Sequence, residues 1–264
     1  SPLGPREGSW ANRLEQLAED LTGAYHAIAC NSGTMALMAG FHALDLPIGS
    51  RVVTSPYTFS ATVASILHAN LRPMFGDVDP ETYTLDPAVA PSGDCYLPVD
   101  LFGLRASRDF PGLVVADSCQ AADPGFTLSP ALWATWSFNG HKNVPAGEAG
   151  MLLTRRDDIA AMARRFISHG ENWQDVHVGM NGRMNELTAC VAYYGLQELG
   201  TRNAARRRMA IDLWQDLQNR WDPRIFPLPE DHIQHHALYV YPFRVRPDVD
   251  RTAYVARLNA AGLT

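Results

Sequence analysis

The chain has 264 residues, 46% of them hydrophobic and 19% charged, with a formal net charge of −6. That is enough apolar material for one large or two modest globular domains, and too much, too evenly spread, for a disordered chain. The acidic balance argues against nucleic-acid binding through a basic field. No apolar run reaches a membrane span, and the opening SPLGPREGSW lacks a basic-then-apolar leader pattern, so a cytoplasmic protein is expected.

Along the chain, Ser9 is placed to cap a helix through Leu14, Leu17 and Leu21. Ala24–Cys30 reads as a strand, and Asn31-Ser32-Gly33-Thr34 opens an apolar helix to about Leu46. Strands follow over Arg51–Ser55, Leu71–Phe75, Cys95–Val99, Leu113–Ala116, Trp133–Phe138 and Ala149–Thr154, with a helix over Thr58–Ala69. Later helices are expected over Asp157–Ser168, Glu186–Leu199 and Arg202–Trp221. Pro223, Pro227 and Pro229 then break the chain before a strand over Ala237–Val245 and a helix over Arg251–Ala261. Strands alternating with helices predict an α/β fold with a mostly parallel sheet. The division falls near residue 200: 1–200 as a large domain and 201–264 as the start of a smaller C-terminal α+β domain.

The four cysteines lie far apart with no CxxC, which excludes a zinc ribbon and argues against a disulfide scaffold. His232 and His236 have i, i+4 spacing, but the flanking prolines favour a surface loop leading into a strand over Leu238–Tyr241, so no metal site is assigned. No GxGxxG, P-loop or GxSxG pattern is present.

One count is informative. Of the 22 basic residues, 21 are arginine, and the only lysine is Lys142. Arginine does not lose its proton near neutral pH or form a Schiff base, and lysine does both. In open α/β sheets ligands sit beyond the carboxyl ends of strands, where four segments place polar or aromatic residues. Ser32, Gly33 and Thr34 open a helix and suit a phosphate, although taken alone an ordinary N-cap explains them better. Asp117, after the apolar run 113–116, is an acid at the end of a buried strand and needs partners. Ser137 precedes the loop that presents Lys142. Phe59 begins a helix just past a strand end, as core packing or as a plate for a flat ring. A phosphate cradle, a buried acid, an aromatic plate and a lone lysine together match the needs of pyridoxal phosphate.

The motifs NSGTMAL (31–37), SPYTFSATVASI (55–66), PVDLFG (98–103), ADSCQAAD (116–123), SFNGHKN (137–143), GEAG (147–150) and GMNGRMNELTA (179–189) occur in this order. On these motifs the chain resembles the DegT/DnrJ/EryC1/StrS family of type I pyridoxal-phosphate aminotransferases. The resemblance implies the type I fold and a homodimer with shared active sites. It also implies transfer of an amino group from L-glutamate or L-glutamine to a keto-sugar nucleotide or related cyclic ketone. It makes Lys142 the Schiff-base lysine and proton carrier, and Asp117 the acid on the pyridine nitrogen. Gln120 falls near the phenolic oxygen, Gly33, Thr34 and Ser137 contact the phosphate, and Phe59 stacks on the ring. Asn181, or Arg183 in its stead, reaches the partner's cofactor.

Two positions depart from the family pattern: Ala149 stands where a Gly is frequent, and Gly182 where an aromatic is frequent. Family members generally continue past the equivalent of Gly262, so the second domain is expected to be incomplete here. Two alternatives follow. One is a catalytically incomplete regulatory or partner subunit of the same fold. The other is a pyridoxamine-phosphate-dependent sugar dehydratase, which would lack the lysine.

Overall fold

Ser9 adopts extended backbone (φ −66°, ψ 162°), and its hydroxyl accepts the Asn12 N–H, which starts α1 (Trp10–Thr22); Gly23, at φ 63°, ends it in the left-handed region. The computed structural model describes residues 4–171, 177–220 and 224–262. The expected helix end at Trp221, the break at Pro223 and the terminal Leu263 and Thr264 lie outside the described residues, as do residues 1–3.

The elements that follow alternate as the sequence predicts: β1 (His26–Cys30), α2 (Gly33–Leu44), β2 (Arg51–Thr54), α3 (Ser60–His68), β3 (Arg72–Phe75) and β4 (Cys95–Tyr96). After a turn at Leu101–Gly103 come β5 (Leu113–Val114), β6 (Ala116–Asp117), β7 (Trp133–Ser137), β8 (Gly150–Thr154), α4 (Asp157–Phe166), α5 (Glu186–Gln197) and α6 (Leu199–Arg220).

Strands β3-β2-β4-β5 pair in parallel throughout. In the second group, β1-β8-β7-β6, the β6–β7 pair is parallel and β8 runs antiparallel to both neighbours. The groups meet along residues 113–117. There Val115 N donates to Tyr96 O (2.9 Å) and Asp117 N to Pro98 O (3.1 Å) on one side, while Leu132 N donates to Val114 O (2.8 Å) on the other.

Alternate strand residues face opposite ways, and the core divides accordingly. Ala27, Ala29, Val114, Ala116, Trp136 and Met151 pack with Leu14, Ala18 and Leu196 of α1 and α5. Ile28, Val52, Val115, Trp133 and Leu152 pack with Leu37, Phe41, Ile159 and Phe166 of α2 and α4. Both faces of the sheet are covered, so β7 and β8 are buried at every position and β1 at all but His26, with no alternation of buried and exposed residues.

The C-terminal part differs from expectation. The strand predicted over Ala237–Val245 exists only as β10 (Phe243–Val245), which pairs with β9 (Ile225–Pro227), a strand the prolines hid. Residues 237–239 instead give their N–H groups to the Leu101–Gly103 turn: Ala237 N to Gly103 O (3.1 Å) and Tyr239 N to Phe102 O (2.8 Å). The loop expected around His232 contains a short helix, α7 (Glu230–His235), with Pro229 just before it and Glu230 and Asp231 in its first turn. Proline before a helix and acids in its first turn both favour a helix start, which outweighs the breaking effect assumed for this segment. The expected helix over Arg251–Ala261 is α8 (Arg251–Ala260). Among the described residues no helix is long and apolar enough to cross a membrane.

Helix α2 lies unusually close to β7. A Cβ on Gly40 would come within 2.7 Å of the fully buried Trp133 ring, which meets Phe41 edge-on at 5.2 Å. Overpacking costs about 1–3 kcal/mol, more than the about 0.5–1 kcal/mol that Gly→Ala gains in a helix interior. Gly40→Ala is therefore expected to lower stability by about 1–2 kcal/mol in chemical denaturation; an increase would show that α2 can slide off Trp133.

Candidate functional site

At the carboxyl ends of β6 and β7 the structure opens a cavity of about 450 Å³. Asp117 ends β6 with only 5% of its surface exposed. Its Oδ2 accepts the Thr62 hydroxyl at 2.6 Å and its Oδ1 accepts Cys119 N at 3.2 Å. The Thr58 and Thr62 hydroxyls are 2.8 Å apart, one turn apart on α3 and the residues leading into it. Two donors thus fix the direction of both carboxyl oxygens.

Lys142 lines the same cavity. Its loop is fastened at both ends: Phe138 N donates to Ala149 O, Ala146 N to Phe138 O and Gly140 N to Gly147 O, each at 2.8 Å. Asn139 Nδ2 donates to Glu148 Oε1 at 2.6 Å. The SFNGHKN and GEAG motifs are therefore two sides of one closed loop. Burial pulls the Lys142 ammonium below the ordinary lysine range, and Cys119 and Asp117 oppose this. Burial also pushes the Cys119 thiol well up, which keeps it neutral at pH 7 and leaves the Asp117 carboxylate as the facing counter-charge.

Ser32, Gly33, Thr34 and Ser137 line another part of the cavity. Ser32 caps α2, its Oγ accepting Met35 N at 3.1 Å. The N–H groups of a first helical turn have no intrahelical acceptor and face an anion site. Both glycines here are set by close approach. A Cβ on Gly33 would lie 2.9 Å from Cys119 Sγ and from Ser137 Cβ, and one on Gly150 would collide with the Ser32–Gly33 backbone.

Phe59 is 69% exposed and lines the cavity at the start of α3, so it is not a core residue. Gln120 also lines the cavity; its Oε1 accepts Phe102 N at 2.7 Å, which leaves its amide N–H groups as donors. Every cavity residue expected from the sequence is thus brought together except Asn181. That residue is exposed, its backbone O accepts Asn31 Nδ2 at 3.1 Å, and it does not line this cavity. Gly182 beside it is packed so that a Cβ would meet Met35 Cγ at 2.6 Å, so this chain has no room there for an aromatic.

The sequence reading missed Thr62, Glu148 and Tyr239. Thr62 had a signal: it stands four residues after Thr58, on one helix face, inside a quoted motif. Tyr239 had none, because its place depends on contacts with residues 102–103. A second hollow of about 770 Å³ lies under the N-terminal segment, and two of the acids that line it, Glu15 and Glu186, are already engaged. Glu15 pairs with Arg164 at 2.8 Å, and Glu186 accepts Trp10 N at 2.7 Å. Among the described residues no cluster of His, Cys, Asp or Glu is arranged to hold a metal ion.

Comparison with known proteins gives a family match over residues 5–264, described as the DegT/DnrJ/EryC1/StrS aminotransferase family. The 3-oxo-glucose-6-phosphate:glutamate aminotransferase of Bacillus subtilis is 28% identical over 96% of this chain and 61% of its own length. The GDP-perosamine synthase of Caulobacter vibrioides is 31% identical over 97% of this chain and 75% of its own. The crystal structure of ntda from Bacillus subtilis with bound cofactor PMP superposes with a TM-score of 0.85 at 28% identity, covering 97% of this chain and 62% of that one. The fold is accordingly the type I fold of pyridoxal-phosphate-dependent aminotransferases. The chain spans about three fifths to three quarters of the length of these relatives.

The Thr62–Asp117 bond can be isolated by substitution. Thr62→Val keeps the shape but leaves Asp117 Oδ2 without its hydroxyl donor, and is expected to cost about 1–3 kcal/mol of stability. Thr62→Ser should restore most of it. Equal stability of the Val variant and wild type in urea denaturation would show that the bond contributes nothing.

Proposed function

The chain belongs to the DegT/DnrJ/EryC1/StrS aminotransferase family, and we propose that it transfers an amino group from L-glutamate or L-glutamine to a keto-sugar nucleotide or a related cyclic ketone, with pyridoxal phosphate as cofactor. The observation that carries this reading is one cavity shared by the only lysine in the chain, a buried carboxylate, an exposed phenylalanine and a helix N-terminus.

That donor set fits pyridoxal phosphate group by group. The first-turn N–H groups of Gly33 and Thr34, with the hydroxyls of Thr34, Ser137 and Ser32, suit a phosphate. Phe59 offers a ring face to the pyridine. Asp117, fixed by Thr62 and the Cys119 N–H, would hold a proton on the pyridine nitrogen. The amide N–H of Gln120 would be a donor for the phenolic oxygen. When bound, the cofactor supplies an electron sink for a C–H bond next to nitrogen.

Lys142 would hold the cofactor through Nζ, and its free amine would accept and return a proton during the transfer. Its lowered pKa raises the fraction of free amine available for both tasks. Because Lys142 is present, the dehydratase alternative is disfavoured.

Residues 1–200 supply every wall of the cofactor pocket but Tyr239, and residues from 201 begin a smaller domain. The protein works as a homodimer, in which Asn181 serves the partner's site. Leu187, Val191 and Tyr194 form an exposed apolar row at i, i+4 and i+7 on α5, which supports such an interface. Sedimentation should give a dimer for the wild type and a monomer for Leu187→Glu; a monomeric wild type would refute the shared site.

The decisive test is borohydride reduction after incubation with pyridoxal phosphate, followed by peptide mass mapping with Lys142→Ala as control. The expected result is a reduced adduct on the Lys142 peptide that disappears when L-glutamate or L-glutamine is added first. An adduct that persists with every amino donor would favour the partner-subunit alternative. No adduct would overturn the aminotransferase reading.

A further inference from the structure

Tyr239 lies 50 residues beyond the last of the sequence motifs, yet it forms a wall of the cavity. Lys142 Nζ stands 4.2 Å from the centroid of its ring. The position is imposed on an irregular segment by its neighbours. Tyr239 N donates to Phe102 O at 2.8 Å, Arg206 Nη1 donates to Tyr239 O at 3.2 Å, and Leu238 is held at φ 49°. Gly103 makes the approach possible: a Cβ there would lie 2.5 Å from Leu238 N and 2.9 Å from Tyr239 N, and its φ of 91° itself favours glycine. Phe102 N in turn donates to Gln120 Oε1 at 2.7 Å. A continuous strap therefore runs from Gln120 through Phe102 to the ring over Lys142.

We propose that Tyr239 is a positioning residue for Lys142: its ring face holds the ammonium form in the cavity and sets the pH at which the amine becomes nucleophilic. A cation over an aromatic face is favoured, more so where water is excluded. The other titratable groups that line the cavity are Asp117 and Cys119 from the end of β6 and His141 and Glu148 from the loop that carries Lys142. Asp117 stabilises the same charge as Tyr239, and burial opposes both. The inference rests on the proposed function only for the use made of the amine; the contact between ring and ammonium belongs to the chain alone.

Because Lys142 is the only lysine, its titration can be read directly. The full chain, stripped of any cofactor, is trace-labelled with acetic anhydride across a pH series, and acetylation of the Lys142 peptide is quantified by mass. Tyr239→Leu removes the ring face, so the ammonium form loses a stabilising contact and the labelling midpoint should fall by about 0.5 to 1.5 pH units. That corresponds to roughly three- to thirty-fold faster labelling at a fixed pH below the midpoint. Tyr239→Phe keeps the ring and should leave the midpoint unchanged. Tyr239→Met serves in place of Leu where thermal melting shows the Leu variant unfolded.

An unchanged midpoint in the ring-less variant overturns the proposal. A risen midpoint, as hydration of an opened cavity would produce, also overturns it. So does a fall in the Phe variant equal to that in Leu, which would assign the effect to the hydroxyl. Borohydride trapping of the wild type, run alongside, separates the two readings. An adduct without a midpoint shift removes only the role of Tyr239, whereas a shift without an adduct removes the cofactor and leaves the ring contact standing.

Discussion

A carboxylate buried at the end of a strand is the constraint around which this molecule is arranged. Asp117 stands at the wall of the cavity with almost none of its surface exposed. An ion in such a place is tolerated only when hydrogen bonds and a counter-charge replace its hydration. Thr62 of α3, the Cys119 N–H and the amine of Lys142 supply these from three separate stretches of chain. The closing of α3 against β6, the turn after β6 and the fastened loop 138–149 therefore answer one electrostatic demand. The same arrangement leaves Oδ1 and Oδ2 fixed in direction, which a freely rotating carboxylate would not be.

Close backbone approach is the second requirement, and it explains motif residues that have no chemistry of their own. Gly33 lets α2 begin against Cys119 and Ser137, and Gly150 lets β8 pass the Ser32–Gly33 turn. Asp100 of the PVDLFG motif is fully buried; it accepts Arg108 Nη2 at 2.7 Å and the Ser118 hydroxyl at 2.6 Å. That pair of bonds anchors the Leu101–Gly103 turn beside β6, and the turn in turn carries residues 237–239. Motifs far apart in sequence act here as one support for the walls of the cavity.

The alternation of strand and helix was legible in the sequence because both patterns are local. The same holds for the capped starts of α1 and α2 and for the residues at strand ends, since a cap and a strand-end polar residue need only their neighbours. The uniqueness of Lys142 was legible by counting alone. Direction was not: nothing in Gly150–Thr154 says that β8 runs antiparallel to β7, because a strand buried on both faces looks alike either way. Tyr239 and the irregular course of 237–239 were hidden for a different reason. The apolar run Leu238–Tyr241 has the composition of a strand, but its donors are claimed by Phe102 and Gly103 before a neighbouring strand could take them. Pro229, read as a breaker of the chain, stands directly before α7, where a proline is compatible with a helix start; its effect is set by position rather than by residue type.

The stretch after residue 200 also bears on the lysine through buried amides. Asn143, next to Lys142, donates through Nδ2 to Asn203 Oδ1 at 2.8 Å and to Ala237 O at 3.0 Å. Asn203 Nδ2 donates to Ala122 O at 2.9 Å and Asp123 Oδ2 at 2.8 Å, and Arg207 pairs with the same Asp123 oxygen. Asn203 is fully buried, so each of these bonds is one it cannot exchange for water. A buried amide with its donors committed fixes orientation as well as adding stability. The loop that presents Lys142, the residues that follow Asp117 and Gln120, helix α6 and the segment leading to Tyr239 are thereby held to one another at a single point. A displacement of α6 would be felt at the lysine through one intervening residue, Asn143. The placement of the Lys142 amine is thus a property of both halves of the chain, even though every residue first recognised in the cavity lies in the first 150 positions.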